Sequence, residues 1–206
     1  MNDVFERYKC LEVCHKSMEK GVEMMCETYR TGGKILVCGN GGSCADSEHI
    51  VGELMKSFVL PRKMPDSDVA KFQNVLGEEA EKFNTYLQRG VPAFSLCSQS
   101  GVMTAYNNDV NADMVYAQLF YASAKENDLL IGISTSGNSK NVVNAVKVAK
   151  AMGIKSLCLT GEKECEIDKY ADCVIKVPET DTYKIQELHL PVYHYLCLST
   201  EKKLFG

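Results

Sequence analysis

The side chains with the most chemistry to offer lie in two short stretches. In the first, "GNGGSCADSEHIVGELM", His49 and Glu53 are four residues apart, which sets them on one face of a helix. A histidine and a carboxylate so placed can ligate a metal such as zinc or pair as acid and base; they can equally form an exposed hydrogen bond with no further role. In the second, "YKIQELHLPVYHYLCL", Gln186, His189 and His194 interrupt an otherwise apolar helical pattern. A histidine there can also be a satisfied core residue.

Two loops carry a different chemistry. "LVCGNGGSCADSEHI" and "IGISTSGNSKNVV" share one grammar: an apolar strand, a small polar glycine-containing loop, then a helix. The first loop offers Asn40, Gly41, Gly42 and Ser43, the second Ser134, Thr135, Ser136 and Ser139. Glycine lets backbone approach a ligand, and the unpaired N–H groups and dipole of a helix N-terminus favour an anion. Hydroxyls add hydrogen bonds to phosphate without a compensating charge. Ser139 alone could be a helix cap, but a cap does not explain three more hydroxyl residues in the same turn. Neither loop is a dinucleotide or P-loop fingerprint, so an anion the size of a monophosphate fits better than a nucleotide.

Continuously apolar runs at 34–39, 93–98, 128–134, 154–160 and 172–177 read as five buried strands. Helical spacing separates them: one amphipathic helix over 1–30, then 44–57, roughly 102–124, a helix after the second loop, and one from about 182 to the end. This alternation implies an α/β fold with a parallel sheet covered on both faces. The length suits a single domain, 1–206. Residues 58–91 are too long for a simple connection; Val69, Phe72, Val75 and Leu76 predict an inserted helical segment with a break near Gly77, either structural or a lid or subunit contact. A net charge of −4 with no basic block argues against nucleic acid. No apolar run approaches the ~18 residues of a membrane span, and the opening residues lack a signal peptide's apolar core. The ten cysteines are scattered, with no Cys-x-x-Cys pair, and read as reduced, buried thiols in a cytoplasmic protein.

"GISTSGNSKNVVNAV" resembles the phosphate loop of sugar isomerase (SIS) domains, and "CGNGGSCADSEHIVGEL" taken with it resembles the phosphoheptose isomerase branch of that family, over nearly the whole chain. The resemblance implies a three-layer, flavodoxin-like sandwich on a five-stranded parallel sheet, and a homotetramer with active sites at subunit interfaces. It implies an aldose–ketose isomerase acting through an enediol on a phosphosugar, sedoheptulose 7-phosphate above all. It implies a zinc site, open to other divalent ions, made by His49, Glu53, Gln186 and His194, with Glu53 as base, His194 as acid and His189 packing nearby. In "YNND", Asn108 and Asp109 match the pair expected to touch the sugar hydroxyls; Glu53 and Gln186 also face the substrate. Gln186 and His194 are eight residues apart, a rise of ~12 Å on a straight helix. They must therefore lean together, be brought closer by Pro191, or come from different subunits.

The chain departs from the pattern on the substrate side. Ser57, next to Lys56, stands where the family has an arginine, and lysine lacks the planar fork of arginine. Tyr183 stands where the family has an aspartate, and the 58–91 segment is longer. These changes leave open a different sugar phosphate. They also leave open a non-catalytic phosphosugar sensor or protein-binding regulator, although a binding-only protein has no use for all four metal-type side chains.

Overall fold

The computed structural model describes residues 3–206. Five strands, β1 (Ile35–Gly39), β2 (Ala93–Ser95), β3 (Leu129–Ile133), β4 (Lys155–Gly161) and β5 (Cys173–Val177), form one parallel sheet in the order β2-β1-β3-β4-β5. The helices are α1 (Asp3–Arg7), α2 (His15–Arg30), α3 (Gly42–Met55), α4 (Asp66–Leu76), α5 (Ala80–Tyr86), α6 (Ser100–Asp109), α7 (Val115–Ser123), α8 (Lys140–Ala151) and α9 (Thr182–Phe205). Strand residues alternate between two cores. Ile35, Val37, Leu129, Ile131, Leu157 and Ile175 face α2, α3 and α9; Leu36, Cys38, Leu130 and Cys158 face α7 and α8. The result is the expected three-layer α/β sandwich. The chain runs from β1 to β2 at one edge, then crosses back to place β3 on the other side of β1. That reversal splays the loops after β1 and β3, and ligands of open α/β sheets bind at such a switch point.

Two expected helices differ, and the 58–91 insertion takes its expected form. The helix anticipated over 1–30 breaks, among the described residues, into α1, a 3-10 turn at Lys9–Cys14, and α2. The turn buries Leu11 and Cys14, and the Cys14 thiol donates to the Lys176 carbonyl of β5, contacts a straight helix would forfeit. The helix expected over 102–124 splits at "NNDVNAD". There the Asn111 side chain accepts the Asp113 N–H at 2.8 Å, a local bond that competes with helix continuation. Residues 58–91 fold as α4, a 3-10 turn at Gly77–Glu79, and α5, with Gly77 at φ 56°. Phe72 and Phe83 pack across this hairpin, and its base closes through a Lys63–Gln88 bridge. α9 runs unbroken through Pro191.

Candidate active site

The first loop is shaped by close approach. A Cβ on Gly39 would lie 2.6 Å from the Ser43 carbonyl, and Gly41 takes φ 55°, so β1 turns at once into α3. The second loop turns on Gly137, at φ 64°, where a Cβ would strike Cys165. Ser134 is buried and donates to the Ser139 hydroxyl at 3.0 Å. Ser139 makes no side-chain cap to α8, so a capping role does not account for it. Ser136 accepts the Asn138 N–H at 3.2 Å and is exposed, and Thr135 is half-buried. Asn40 and Asn141 exchange reciprocal amide bonds of 2.8 and 2.9 Å. Both loops and the α3 and α8 N-termini are thereby held side by side over β1 and β3. A cleft of about 170 Å³ opens beside the second loop, lined by Thr135, Ser136, Asn138, Gly161, Lys163 and Thr182. Another cleft, of about 430 Å³, lies at the opposite end of the sheet among Lys20, Glu27, Asp128 and Asp172 and holds none of these groups.

Three of the ionisable candidates meet. His49 Nε2 is 3.3 Å from Glu53 Oε1, and His194 Nε2 is 3.4 Å from His49 Nε2. The meeting depends on α9 lying along α3. The other Glu53 oxygen, Oε2, takes the Lys56 ammonium at 2.9 Å. Burial lowers the His194 pKa, the neighbouring His49 lowers it further, and Glu53 opposes both; the ring is neutral at physiological pH. Gln186, on α9, meets α3 at a different place: its amide nitrogen is 2.6 Å from where a Cβ of Gly42 would be. Residue 42 lies about two helical turns before His49. His189 is buried, with Nε2 3.4 Å from the Thr160 carbonyl. Asn108 donates to Asp109 at 2.8 Å, both exposed at the end of α6, whose main neighbours are α7 and the turn at Ala112–Met114.

Several supporting residues had no role in the sequence reading. Tyr193 is buried, with its hydroxyl 3.0 Å from His49 Nδ1 and 3.3 Å from Asp46 Oδ1. Burial raises the Asp46 pKa, against the pull of Tyr193 and His49. Arg62 and Glu201 form a buried pair at 2.7 Å. Arg62 also donates to the carbonyls of Leu54 at 2.6 Å and Glu53 at 3.0 Å, closing the C-terminal end of α3. Glu201 accepts the N–H groups of Phe58, Val59 and Leu60 at 2.8–3.0 Å, and these outweigh its burial to hold its pKa below the usual carboxylate range. Phe58 then packs edge-on to His194. The signal for Asp46 was present, three residues before His49 on the same helix. Nothing in the sequence joined Arg62 to a glutamate 139 residues away.

SIS-domain models match residues 3–90 and 108–195. The phosphoheptose isomerase of Aliarcobacter butzleri is 36% identical over 196 residues, covering 95% of this chain and 90% of that protein. That of Clostridium acetobutylicum is 37% identical, covering 90% and 81%. The chain belongs to the phosphoheptose isomerase family. The structure of phosphoheptose isomerase GmhA from Neisseria gonorrhoeae superposes with a TM-score of 0.76 at 28% identity, covering 95% of this chain and 91% of that one. Membership makes this protein an aldose–ketose isomerase of the SIS class, and the family's fold is the one described above.

Proposed function

We propose that the protein interconverts a ketose phosphate and an aldose phosphate, with sedoheptulose 7-phosphate as the leading substrate. The observation that carries this reading is the Asn40–Asn141 link, which unites two anion-binding helix N-termini beside the Glu53–His49–His194 string. Ser134, Thr135, Ser136 and Ser139 with the α8 N-terminus take the phosphate. Asn40, Gly41, Gly42 and Ser43 with Gln186 face the sugar chain, and Asn108 and Asp109 complete its hydroxyl contacts. Isomerisation moves a proton between C1 and C2. Glu53, whose other carboxylate oxygen takes the Lys56 ammonium, removes the carbon-bound proton, and His194 passes protons between the oxygens.

The donor set fits a divalent metal. Among the described residues no three His, Cys, Asp or Glu side chains already close a coordination shell. Yet the two successive separations of 3.3 and 3.4 Å match the ~3.3 Å edge of a tetrahedron with bonds of ~2.0 Å. His49, Glu53 and His194 would hold zinc or a similar ion, leaving the open position a catalytic site requires. Gln186, the fourth member of the family's set, is read here chiefly as a substrate contact. When bound, the ion polarises the sugar carbonyl and steadies the developing negative charge.

The assembly is proposed to be a homotetramer with the N-terminal helices in the interface. Val13 in the N-terminal segment is an apolar side chain left exposed, as are Phe94, Val102 and Val110, and subunit contacts would cover them. Light scattering at micromolar concentration tests it, and a monomer overturns it. A cytoplasmic location is proposed alongside; among the described residues no helix is long and apolar enough to cross a membrane. For the activity, a panel of ketose phosphates of different lengths, followed by NMR with and without zinc, is decisive. Turnover of sedoheptulose 7-phosphate is expected, and no turnover of any ketose phosphate rules the reading out.

A further inference from the structure

Tyr193 stands between the two histidines of the string, its ring 5.2 Å from that of His49 and 5.1 Å from that of His194, edge-on to both. Its hydroxyl has one proton and two polar neighbours, Asp46 Oδ1 at 3.3 Å and His49 Nδ1 at 3.0 Å. An ordinary phenol keeps this proton throughout the neutral range. A carboxylate can only accept. If the phenol proton points at Asp46, the phenol oxygen is left as an acceptor, and His49 must bring the hydrogen on Nδ1.

We propose that Tyr193, backed by Asp46, is a positioning residue that fixes His49 in the Nδ1–H tautomer and so turns the Nε2 lone pair towards Glu53 and His194. The proposal rests on the isomerase reading of the string and adds to it the device that sets its first donor. The opposite arrangement has the phenol donating to Nδ1 and His49 Nε2–H donating to Glu53. It takes from Asp46 the one hydrogen-bond donor its side chain has among the described residues, whereas in the proposed arrangement Glu53, which then faces the His49 lone pair, keeps the Lys56 ammonium. The shorter contact is on the tyrosine side. The His49 lone pair then also faces His194 Nε2, 3.4 Å away. A metal-ligating histidine is normally oriented through its other nitrogen in this way, and loss of such a partner costs ~10–100-fold in metal affinity.

The test uses full-length protein with ring-15N histidine. There are four histidines, few enough to resolve by long-range 1H–15N correlation in metal-free sample at neutral pH. The expected result is a protonated Nδ1 and an unprotonated Nε2 at His49. Tyr193→Phe keeps the ring that packs on both histidines and removes only the hydroxyl. It should shift His49 towards the Nε2–H form, and Asp46→Asn should do so less completely. Zinc affinity, measured by competition with a chelator, should fall ~10–100-fold in Tyr193→Phe with an unchanged circular dichroism spectrum. A wild-type His49 carrying its hydrogen on Nε2, or a tautomer that ignores Tyr193→Phe, overturns the proposal. Should Tyr193→Phe not fold, the wild-type tautomer and Asp46→Asn still decide. Should wild-type protein bind no zinc at all, the metal reading fails while the tautomer measurement stands by itself.

Discussion

The site has two halves built on different terms. The proposed anion cradle over β1 and β3 is made of loop backbone, small hydroxyls and helix N-termini, each from one short stretch of chain. The acid–base string is made of long side chains from α3 and α9, 145 residues apart at His49 and His194, and it exists only because those helices lie together. Many modest hydrogen bonds share the work of the cradle. A few indispensable groups, held by a buried scaffold, do the work of the string. Substitutions in the string and its scaffold should therefore cost much more than substitutions in the cradle.

The scaffold offers the largest effect. Arg62→Met leaves Glu201 buried without its cation, and removing one partner of a buried pair costs about 3–5 kcal/mol, read as a lower urea midpoint. Adding Glu201→Leu should recover little, because Glu201 also holds the N–H groups of Phe58, Val59 and Leu60. Full recovery in the double variant would show an ordinary ion pair and no clamp. Next comes the string itself. Glu53→Gln preserves shape and removes the base, so turnover should fall at least ~10²-fold while phosphosugar binding, measured by calorimetry, survives. Retained activity would move the base to another residue.

The same division decides what could be read from sequence. The five strands and the hydroxyl loops are local patterns, and they stand in the structure close to their expected limits, except that β2 ends at Ser95 and a 3-10 turn takes Leu96–Ser98. The break near Tyr8 is not local. Leu11 and Cys14 leave the helical path to cover β5, and no periodicity within the first 30 residues signals that target. The pairing of His49 with Glu53 follows from helical spacing alone. The arrival of His194 beside them was available only through the family resemblance, and the roles of Tyr193, Asn141 and Arg62 required the packed chain.

α9 sharpens the contrast by carrying two histidines of opposite fate. His194 is half-exposed in the string. His189 is buried, its Nδ1 has no partner, and burial lowers its pKa to about 4 from an ordinary 6.5. Below pH 6.5 the unfolded chain takes up a proton that the folded chain refuses. Stability is thus full above that pH and declines down to about pH 4. By pH 5 the loss is on the order of 2 kcal/mol. His189→Gln removes this titration, so its urea midpoint should drop less than that of wild type between pH 7 and pH 5. Parallel slopes for the two proteins would show that His189 is protonated in the fold.

The smallest effect belongs to the cradle. Ser136 is exposed, and its oxygen already accepts the Asn138 N–H at 3.2 Å, so its hydroxyl hydrogen is free for a phosphate oxygen. Removing it deletes one hydrogen bond to a charged group, about 1–2 kcal/mol, while Ser134, Thr135, Ser139 and the α8 N-terminus remain. Phosphate is distant from the proton that moves, and it is bound equally before and after the transfer. A loss of uniform binding raises KM and leaves kcat nearly unchanged. Ser136→Ala should therefore raise KM about 5- to 30-fold, the equivalent of that free energy, with kcat within a factor of about two. A drop in kcat comparable to that of Glu53→Gln would mean that the loop takes part in aligning the sugar for proton transfer, and the two halves would then have to be treated as one.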